Sequence, residues 1–324
     1  TQKQPGKMVK IFVTGGAGFI GSHLIDALLA LGHQVKCYDD YSSGTPTNLP
    51  RDENLTLRGA NIITKKTFDK FDGKKAIYKA PYLEREMSGY DIVYHLAAFV
   101  NVPLSIKHPE HTRRVNVTGT QKVIESARKN NIKRIVFAST AAVYGNHPEL
   151  PKTEDSPTDP QSPYAETKLE AEKLIENSNL EYIILRFMNV YGPRQKHDSP
   201  YSGVISRFSE LQRRGEQCTI YGEGNQTRDF VYVGDIVTAL ILAGQTENSN
   251  ETYLVGSGKK TSINELYKTI SKATGNNMEP NYAPKREGDV LHSWADITKA
   301  REMLGYEPQV TLEDGIQAVL EHKY

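Results

Sequence analysis

The sequence has 324 residues, of which 38% are hydrophobic and 24% are charged, a balance typical of an ordinary soluble globular chain. This length is enough for one large domain and a smaller one. The net charge of +1 gives no reason to expect nucleic acid or a membrane surface as a partner.

The cysteines and the N-terminal residues bear on the cellular compartment. Cys37 and Cys218 form no metal-ligand cluster, and Cys37 lies in a strand-like run, so we expect a buried, reduced thiol and no metal site. Residues 1–10 are polar and lack the apolar segment of a signal peptide, and no apolar run reaches membrane-spanning length. These features predict a cytoplasmic protein.

The first predicted elements form a strand–glycine–helix–strand unit. Lys10–Thr14 is an apolar strand that runs into the glycine-rich stretch GGAGFIG, and an amphipathic helix follows it. The glycines permit a tight turn and close approach of the backbone to a pyrophosphate at the helix N-terminus. The second strand ends at Asp39, which can bind both ribose hydroxyls of an adenosine and would repel a 2′-phosphate. This order of elements predicts a site for NAD rather than NADP.

Further buried strands predict a doubly wound α/β fold with a parallel sheet. They are expected at 91–95, 134–138 and 182–185. We interpret His95 as a packed core residue. Leu96-Ala97-Ala98 follows it, and small residues after a parallel strand let a flat ligand lie on the backbone. A helix from about 111 to 130 carries Asn116, which either points to the cofactor or is a buried helix asparagine. Ser139-Thr140 lies at a carboxyl end of the sheet, where ligands bind in such folds.

A helix that is predicted to begin at Pro163 carries a candidate acid/base pair. Tyr164 and Lys168 lie one turn apart on the same face of this helix. An ammonium at close range favours the phenolate and moves the tyrosine pKa from about 10 towards neutrality, as a base requires. Because the chain has 18 tyrosines, such a pair also arises by chance, and its weight depends on the other motifs.

Beyond Arg186 the elements become shorter and the loops more frequent, which predicts a substrate domain. We place the first domain at residues 8–186, with residues 230–250 returning to it, and the second at 187–324. Asp235 is expected to be the N-cap of a helix. Residues 61–89 are polar and lysine-rich and fit the α/β pattern least well.

Several motifs together resemble the extended short-chain dehydrogenase/reductase family, and within it the NDP-sugar 4-epimerases. The matching pieces are GGAGFIGSHL, HLAA, ASTAAVYG, YAETK, RFMNVYGPRQ, GEGNQTRDFVYVGD and REGDVLHSWAD, which span residues 8 to about 305. The resemblance implies a Rossmann fold, NAD that is tightly held and regenerated in each turnover, and a homodimer formed through helices near 111–130 and 163–177. One departure lies beside the expected adenine site, where the family usually has Gly-Asp-Ile and this chain has Ala60-Asn61-Ile62.

The resemblance also implies roles for single residues. Tyr164 would be the acid/base, Lys168 would bind the nicotinamide ribose, and Thr140 would hydrogen-bond the sugar hydroxyl. The implied cofactor contacts are Gly15, Gly18, Phe19, Ile20, Asp39, Asp40, Ser43, Gly44, Asn61, Ile62, Leu96, Ala97, Ala98, Asn116 and Ser139, together with Tyr164 and Lys168. The implied substrate contacts are Asn189, Val204, Thr219, Tyr221, Arg228, Arg286, Asp289 and Ser293, with the arginines on the phosphates, Asp289 on the nucleotide ribose and Tyr221 stacked in the uracil pocket.

Two positions bear on the reaction and on the sugar. The related 4,6-dehydratases carry Asp-Glu after the threonine, whereas Ala141 and Ala142 stand here and cannot transfer protons. In the 4-epimerases the residue before Trp-Ala-Asp lines the pocket around sugar carbon 2, and a tyrosine there excludes N-acetyl groups. Ser293 stands at this position, which predicts use of UDP-GlcNAc and UDP-GalNAc, together with UDP-glucose and UDP-galactose.

Other functions stay open at this point. One is a related NDP-sugar reductase, or an epimerase acting at another carbon, and another is an inactive NAD-binding sensor. The sequence also leaves open whether the nucleotide carries uridine or thymidine.

Overall fold

A computed structural model of the chain describes residues 8–63, 66–69, 76–79, 83–196, 203–285 and 290–322. The strands of the first half are β1 Lys10–Thr14, β2 Gln34–Asp39, β3 Leu55–Gly59, β4 Lys66–Asp69, β5 Ala76–Lys79, β6 Ile92–His95, β7 Arg134–Thr140 and β8 Glu181–Phe187. Those of the second half are β9 Asn189–Tyr191, β10 Thr219–Tyr221, β11 Thr227–Arg228, β12 Phe230–Tyr232, β13 Glu251–Val255, β14 Thr261–Ser262, β15 Asn281–Ala283 and β16 His292–Ser293.

The helices alternate with these strands through the first half of the chain. They are α1 Phe19–Ala30, α2 Leu83–Glu86, α3 Val102–Lys107, α4 Pro109–Arg113, α5 Gly119–Lys129, α6 Pro163–Glu176, α7 Val204–Arg213, α8 Val233–Gln245, α9 Ile263–Thr274 and α10 Leu312–Glu321. A π-helical turn, Arg114–Thr118, joins α4 to α5, so the helix predicted near 111–130 is continuous in the structure. In the described residues no helix combines the length and apolarity that crossing a bilayer requires.

The centre of the fold is a seven-stranded sheet with the order β13-β8-β7-β6-β1-β2-β3. The ladders of β1 with β2 and β6, of β2 with β3, and of β6 with β7 are parallel. The chain moves outward from β1 in one direction through β2 and β3, and then in the other direction starting with β6. The order therefore reverses between β1 and β6, the point at which doubly wound sheets bind ligands. The predicted Rossmann fold is confirmed.

The inner strands β1, β6, β7 and β8 carry continuous apolar runs, as expected where both faces of a sheet are covered, whereas the edge strand β3 is largely exposed. In β1, residues 11–14 are all buried, and Phe12 and Val13 are fully so. Cys37, in β2, is also fully buried, as the sequence predicted. Phe12 and Tyr38 continue into a core that the helices close with Val123, Ala127, Ala171 and Ile175.

The chain divides into two compact units. The first comprises Thr1–Ser139, Ser162–Leu185 and Leu240–Thr252, and the second comprises Thr140–Gln161, Arg186–Ala239 and Tyr253–Tyr324. Within the second unit, β12 pairs with β9, β10 pairs with β15, and β11 lies between β14 and β16. A separate apolar cluster from α7, α9 and α10 forms its core, with Phe208, Leu266 and Ile316 as members.

Two stretches differ from what the sequence suggested. The predicted N-cap role of Asp235 is wrong, because α8 begins two residues earlier, at Val233. The Asp235 carboxylate instead accepts hydrogen bonds from the backbone N–H groups of Gln309 and Val310, at 2.9 and 3.2 Å. In the stretch 61–89, which showed no clear pattern, β4 and β5 form an antiparallel pair and α2 follows them.

Candidate active site

The glycine turn between β1 and α1 stands at the point where the strand order reverses. Gly15 has a φ of +71°, and a Cβ atom there would lie 2.6 Å from the backbone nitrogen of Ala97, so the position requires glycine. Gly18 is the N-cap of α1 and contributes no side-chain hydrogen bond to the first turn. The amide groups at this helix N-terminus are thus left without a side-chain cap, which is the arrangement that receives a phosphate.

Asp39 connects the end of β2 to this turn. Its buried carboxylate accepts hydrogen bonds from the backbone N–H groups of Ala17, at 2.9 Å, and Tyr41, at 2.8 Å. Burial raises the pKa of Asp39, and the two backbone hydrogen bonds oppose that rise. A carboxylate has about four acceptor sites, so two remain in which Asp39 can receive ribose hydroxyls.

The departure from the family pattern at Asn61 has a local explanation. The Asn61 side chain donates a hydrogen bond to the carboxylate of Asp40 and accepts one from the backbone N–H of Ile63, at 2.8 Å. An aspartate at position 61 would place two carboxylates in contact, and like charges at that range repel. The neighbouring Ile62 side chain is buried in the core against Gly119.

The other predicted cofactor contacts lie around the same edge of the sheet. Leu96, Ala97 and Ala98 follow β6 directly, and the backbone of Ala97 touches Gly15. Gly44 packs on the backbone of Ala17, and Ser43 is exposed beside it. Phe19 and Ile20 open α1 and are half-buried.

The Asn116 side chain makes three hydrogen bonds within the protein. It accepts from the backbone N–H of Phe99, at 2.7 Å, and donates to the Phe99 carbonyl and to Thr167 Oγ1. Both amide donors are therefore used by protein groups. This arrangement favours the buried-asparagine alternative, in which Asn116 fixes the chain after Ala98 against α6.

Helix α6 begins at Pro163, as predicted, with Ser162 as its N-cap. The backbone N–H of Tyr164 donates to the buried hydroxyl of Ser105, at 3.2 Å, which positions the first turn. One turn later Lys168 is buried, and its Nζ donates to the carbonyl oxygen of Ala138, at 2.6 Å. The ammonium also lies 4.0 Å from the ring centroid of Phe137. Burial lowers the pKa of Lys168 to about 7, and the charge of Glu172 opposes this shift.

His95 is a packed core residue, as the sequence analysis predicted. Its ring nitrogens lie 2.7 Å from Thr14 Oγ1 and 2.9 Å from Thr120 Oγ1. Burial, together with the charge of Lys168, lowers the pKa of His95 to about 3. The imidazole is therefore neutral near pH 7. Because its pKa is low and both ring nitrogens contact threonine hydroxyls, we do not assign it the role of a base.

In the second unit, the predicted substrate residues lie at the end of β7, on short strands and at the first residue of α7. Thr140 Oγ1 accepts a hydrogen bond from the backbone N–H of Ala142, at 3.2 Å, and so caps a 3₁₀ turn of Ala141–Tyr144. Asn189 is exposed on β9, and Thr219 and Tyr221 bound β10. Val204 is the first residue of α7 and packs against the core of this unit. The predictions for Arg286 and Asp289 lie outside the described residues.

Arg228 and Ser293 occupy equivalent places on neighbouring strands. The parallel ladder of β11 and β16 pairs Thr227 with His292 and Arg228 with Ser293. The next residue, Asp229, is fully buried and accepts hydrogen bonds from the backbone N–H groups of Ser257, Gly258 and Ala295. This carboxylate ties the Arg228 strand to the chain that follows Ser293. Asp229 was not among the predicted site residues, although it follows the predicted phosphate ligand Arg228 directly.

A family comparison covers most of these residues. The model of the NAD dependent epimerase/dehydratase family matches residues 11–256. The chain belongs to that family. Its resemblance to the extended short-chain dehydrogenase/reductases, read from the motifs, is confirmed.

Relatives match the chain over nearly its whole length. It is 38% identical to the UDP-glucose 4-epimerase of Mycolicibacterium smegmatis, with 97% of this chain and 98% of the relative covered. A structure of the Thermotoga maritima UDP-glucose 4-epimerase with UDP-glucose is 37% identical, has a TM-score of 0.88, and covers 97% of this chain and 98% of its own. The UDP-N-acetylglucosamine 4-epimerase of Methanobrevibacter ruminantium in complex with UDP-N-acetylmuramic acid is 35% identical, with a TM-score of 0.88 and 98% of both chains covered. These comparisons support an epimerase of UDP-sugars.

The residues of the first unit fit the family's NAD cofactor. Among the described residues other than its chain neighbours, the carbonyl oxygen of Gly15 is the one atom that a Cβ atom at Gly18 would approach within 4 Å, at 3.2 Å, so the backbone at this turn is little covered. The uncapped helix N-terminus suits the pyrophosphate, and the buried Asp39 suits an unphosphorylated adenosine ribose.

Proposed function

We propose that this protein is a UDP-hexose 4-epimerase that interconverts UDP-GlcNAc with UDP-GalNAc, and UDP-glucose with UDP-galactose. The observation that carries the proposal is the arrangement of α6 on β7. It presents Tyr164 one turn from a buried Lys168, whose ammonium is fixed by the Ala138 carbonyl. The whole-length similarity to UDP-sugar 4-epimerases supports the same reaction.

Tyr164 is the proton acceptor and donor in this proposal. It takes the proton from the hydroxyl on sugar carbon 4 as that carbon is oxidised. After the 4-keto sugar has turned so that its opposite face receives the hydride, Tyr164 returns the proton to the oxygen on carbon 4. Lys168 stabilises the phenolate in a site where burial strengthens the attraction between the two charges. NAD, when bound, supplies the hydride acceptor and donor at carbon 4. Because its oxidation state is restored in each turnover, we expect the cofactor to stay bound through purification.

The residues after Thr140 favour epimerisation over dehydration. Elimination of water across carbons 5 and 6 needs an additional acid and base. The 3₁₀ turn that Thr140 caps carries only the methyl groups of Ala141 and Ala142 at the first two positions. We assign to Thr140 a hydrogen bond with the sugar hydroxyl, which its Oγ1 can make in addition to the one that it accepts from Ala142.

The two units divide the predicted contacts between them. Every predicted NAD contact falls in the residue ranges of the first unit, and Thr140, Asn189, Val204, Tyr221, Arg228 and Ser293 fall in those of the second. We therefore assign NAD binding to the first unit and the nucleotide sugar to the second. Ser293 is the basis for including the N-acetylated sugars. The homodimer stays a prediction, which light scattering of the purified protein would test.

Replacement of Tyr164 by phenylalanine tests the chemistry. Tyr164→Phe should lower turnover by about 10²- to 10⁴-fold, the usual contribution of a positioned acid/base, while the purified protein retains its NAD. Tyr282→Phe is the matched control, because Tyr282 is an exposed tyrosine of β15 and should leave turnover unchanged. Unchanged turnover in Tyr164→Phe would contradict the mechanism. Net oxidation of added NADPH or NADH by the wild-type protein would favour the reductase alternative instead.

A further inference from the structure

Helix α6 carries a second buried charge that the proposed chemistry does not use. Glu172 lies one turn beyond Lys168, and 1% of its surface is exposed. Residues four apart on a helix are neighbours, with Cβ atoms about 5–6 Å apart. Tyr164, Lys168 and Glu172 thus form one row along the helix. In the sequence alone, Glu172 stands out only as one of several helix-forming residues after Pro163.

Two members of this row, Lys168 and Glu172, contact three consecutive residues of β7. Phe137 lies under the Lys168 ammonium, and Ala138 accepts the hydrogen bond from Lys168. The next residue, Ser139, donates its hydroxyl hydrogen bond to the Glu172 carboxylate. Ser139 is itself 4% exposed, so this bond is shielded from solvent. The same short stretch of strand therefore fixes the lysine and the glutamate together.

A buried carboxylate is costly unless its charge is compensated. Removing an ionised group from water costs several kcal/mol, and a hydrogen bond from a neutral hydroxyl such as that of Ser139 returns only part of that. The nearby Lys168 ammonium provides an opposite charge in the same low-dielectric region. In return, the Glu172 charge favours the protonated form of Lys168, which burial on its own disfavours.

We propose that Glu172, oriented by Ser139, is a positioning residue of the NAD site that keeps Lys168 protonated while Tyr164 ionises. This inference rests on the proposed function for the role of Tyr164. The quantity that it predicts, however, is the charge state of Lys168, which can be measured without any substrate. Glu172 acts through Lys168 and does not need to touch the sugar or the cofactor.

The other groups around Lys168 do not supply this charge. His95, on the neighbouring strand β6, is neutral near pH 7 because burial lowers its pKa to about 3. Thr14 and Thr120, which hold that imidazole, carry no charge. The Phe137 ring attracts the ammonium through its quadrupole but does not bind a proton. In this part of the first unit, Glu172 is the acidic group whose charge raises the Lys168 pKa.

The titration of Lys168 tests the proposal. Lysine Cε carbons would be ¹³C-labelled in the NAD-saturated protein, the Lys168 signal would be identified by its loss in Lys168→Met, and its chemical shift would be followed with pH. In Glu172→Gln, which removes the charge and keeps the shape, the titration midpoint should fall by about 1 pH unit. Glu172→Asp keeps the charge and should restore most of that difference.

Two further variants make the result decisive. Glu170→Gln is the matched control on the same helix, because Glu170 pairs at the surface with Arg113, and this variant should leave the Lys168 midpoint unchanged. Ser139→Ala should lower the midpoint by less than Glu172→Gln, which also provides a test if Glu172→Gln does not fold. An unchanged Lys168 midpoint in folded Glu172→Gln would overturn the proposal, as would an equal fall in Glu170→Gln. If the midpoint shifts as expected but no UDP-sugar is converted, the positioning role stands and the proposed function fails.

Discussion

Arg228 and Ser293 are register partners in the parallel ladder of β11 and β16. One is the predicted ligand of a phosphate, and the other is the predicted neighbour of sugar carbon 2. The ladder sets their spacing, and Asp229, the residue after Arg228, further ties this strand to the chain after Ser293, because its buried carboxylate accepts a hydrogen bond from the backbone N–H of Ala295, at 3.3 Å. A change at position 293 should therefore act on the sugar without displacing the arginine.

This relationship predicts a change of sugar preference in Ser293→Tyr. The phenol ring should fill the space next to sugar carbon 2 and lower kcat/KM for UDP-GlcNAc by about 100-fold or more, since a clash with a ring excludes a substituent more strongly than a methylene-scale change does. Activity with UDP-glucose should be retained. Ser293→Ala is the control and should keep both activities. If Ser293→Tyr uses UDP-GlcNAc as well as the wild-type protein does, the assignment of this pocket is wrong.

Gly18 and Gly21 should respond differently to the same substitution. In the described part of the chain, a Cβ atom on Gly18 would approach the Gly15 carbonyl at 3.2 Å and no other residue beyond its neighbours within 4 Å, so Gly18→Ala should fold. Its methyl group at the helix N-terminus should lower NAD affinity by about 10-fold. On Gly21 the Cβ atom would lie 2.2 Å from that carbonyl, so Gly21→Ala should lower the free energy of unfolding by about 2 kcal/mol. Calorimetric titration with NAD and urea unfolding would separate the two effects. Equal loss of stability in both variants would count against the role of Gly18.

Asp39 should control the preference for NAD over NADP. In Asp39→Asn the negative charge that repels a 2′-phosphate is lost, and one of the two backbone hydrogen bonds to the side chain is lost with it. We expect NAD affinity to fall by about 10-fold and the NAD-to-NADP affinity ratio to approach one. Asp40→Asn removes the adjacent charge and should keep the preference for NAD. An NAD-to-NADP affinity ratio that stays high in Asp39→Asn would show that another group discriminates against the 2′-phosphate.

His95 should make the protein sensitive to acid. Because burial lowers its pKa in the folded state to about 3, and the unfolded value is near 6.5, the unfolded state binds more protons between these pH values. The free energy of unfolding should therefore fall as the pH is lowered through this window, by up to about 5 kcal/mol in all. Buried acids such as Asp229 contribute with the opposite sign, because burial raises the pKa of Asp229. The effect of His95 is therefore measured by comparing the wild-type protein with His95→Gln in urea unfolding. Between pH 7 and 4, the free energy of unfolding should fall less in His95→Gln than in the wild-type protein. An equal loss would contradict this account.

Local pattern was enough to predict the first half of the fold. The strand at Lys10–Thr14, the glycine turn and the helix beginning at Pro163 all depend on residues that are near one another in the sequence, and the structure has each of them. The buried state of His95 also followed from its place at the end of an apolar strand.

The features that the sequence analysis missed depend on distant partners. Asp235 binds the backbone at Gln309, 74 residues away, so its local sequence resembled an N-cap although its hydrogen bonds lie elsewhere. The bond between Ser139 and Glu172 spans 33 residues, and only the packing of α6 on β7 reveals it. One signal was present in the sequence, because Glu172 repeats the spacing of four that separates Tyr164 from Lys168.

The most direct test of the central claim is to incubate the purified protein, without added cofactor, with UDP-GlcNAc and separately with UDP-glucose. The products would be resolved by NMR or anion-exchange chromatography. We predict mixtures of the gluco and galacto forms from both sugars, with no net change in NADH absorbance, since the retained NAD is restored in each turnover. No conversion of either sugar, even after NAD is added, would contradict a UDP-hexose 4-epimerase.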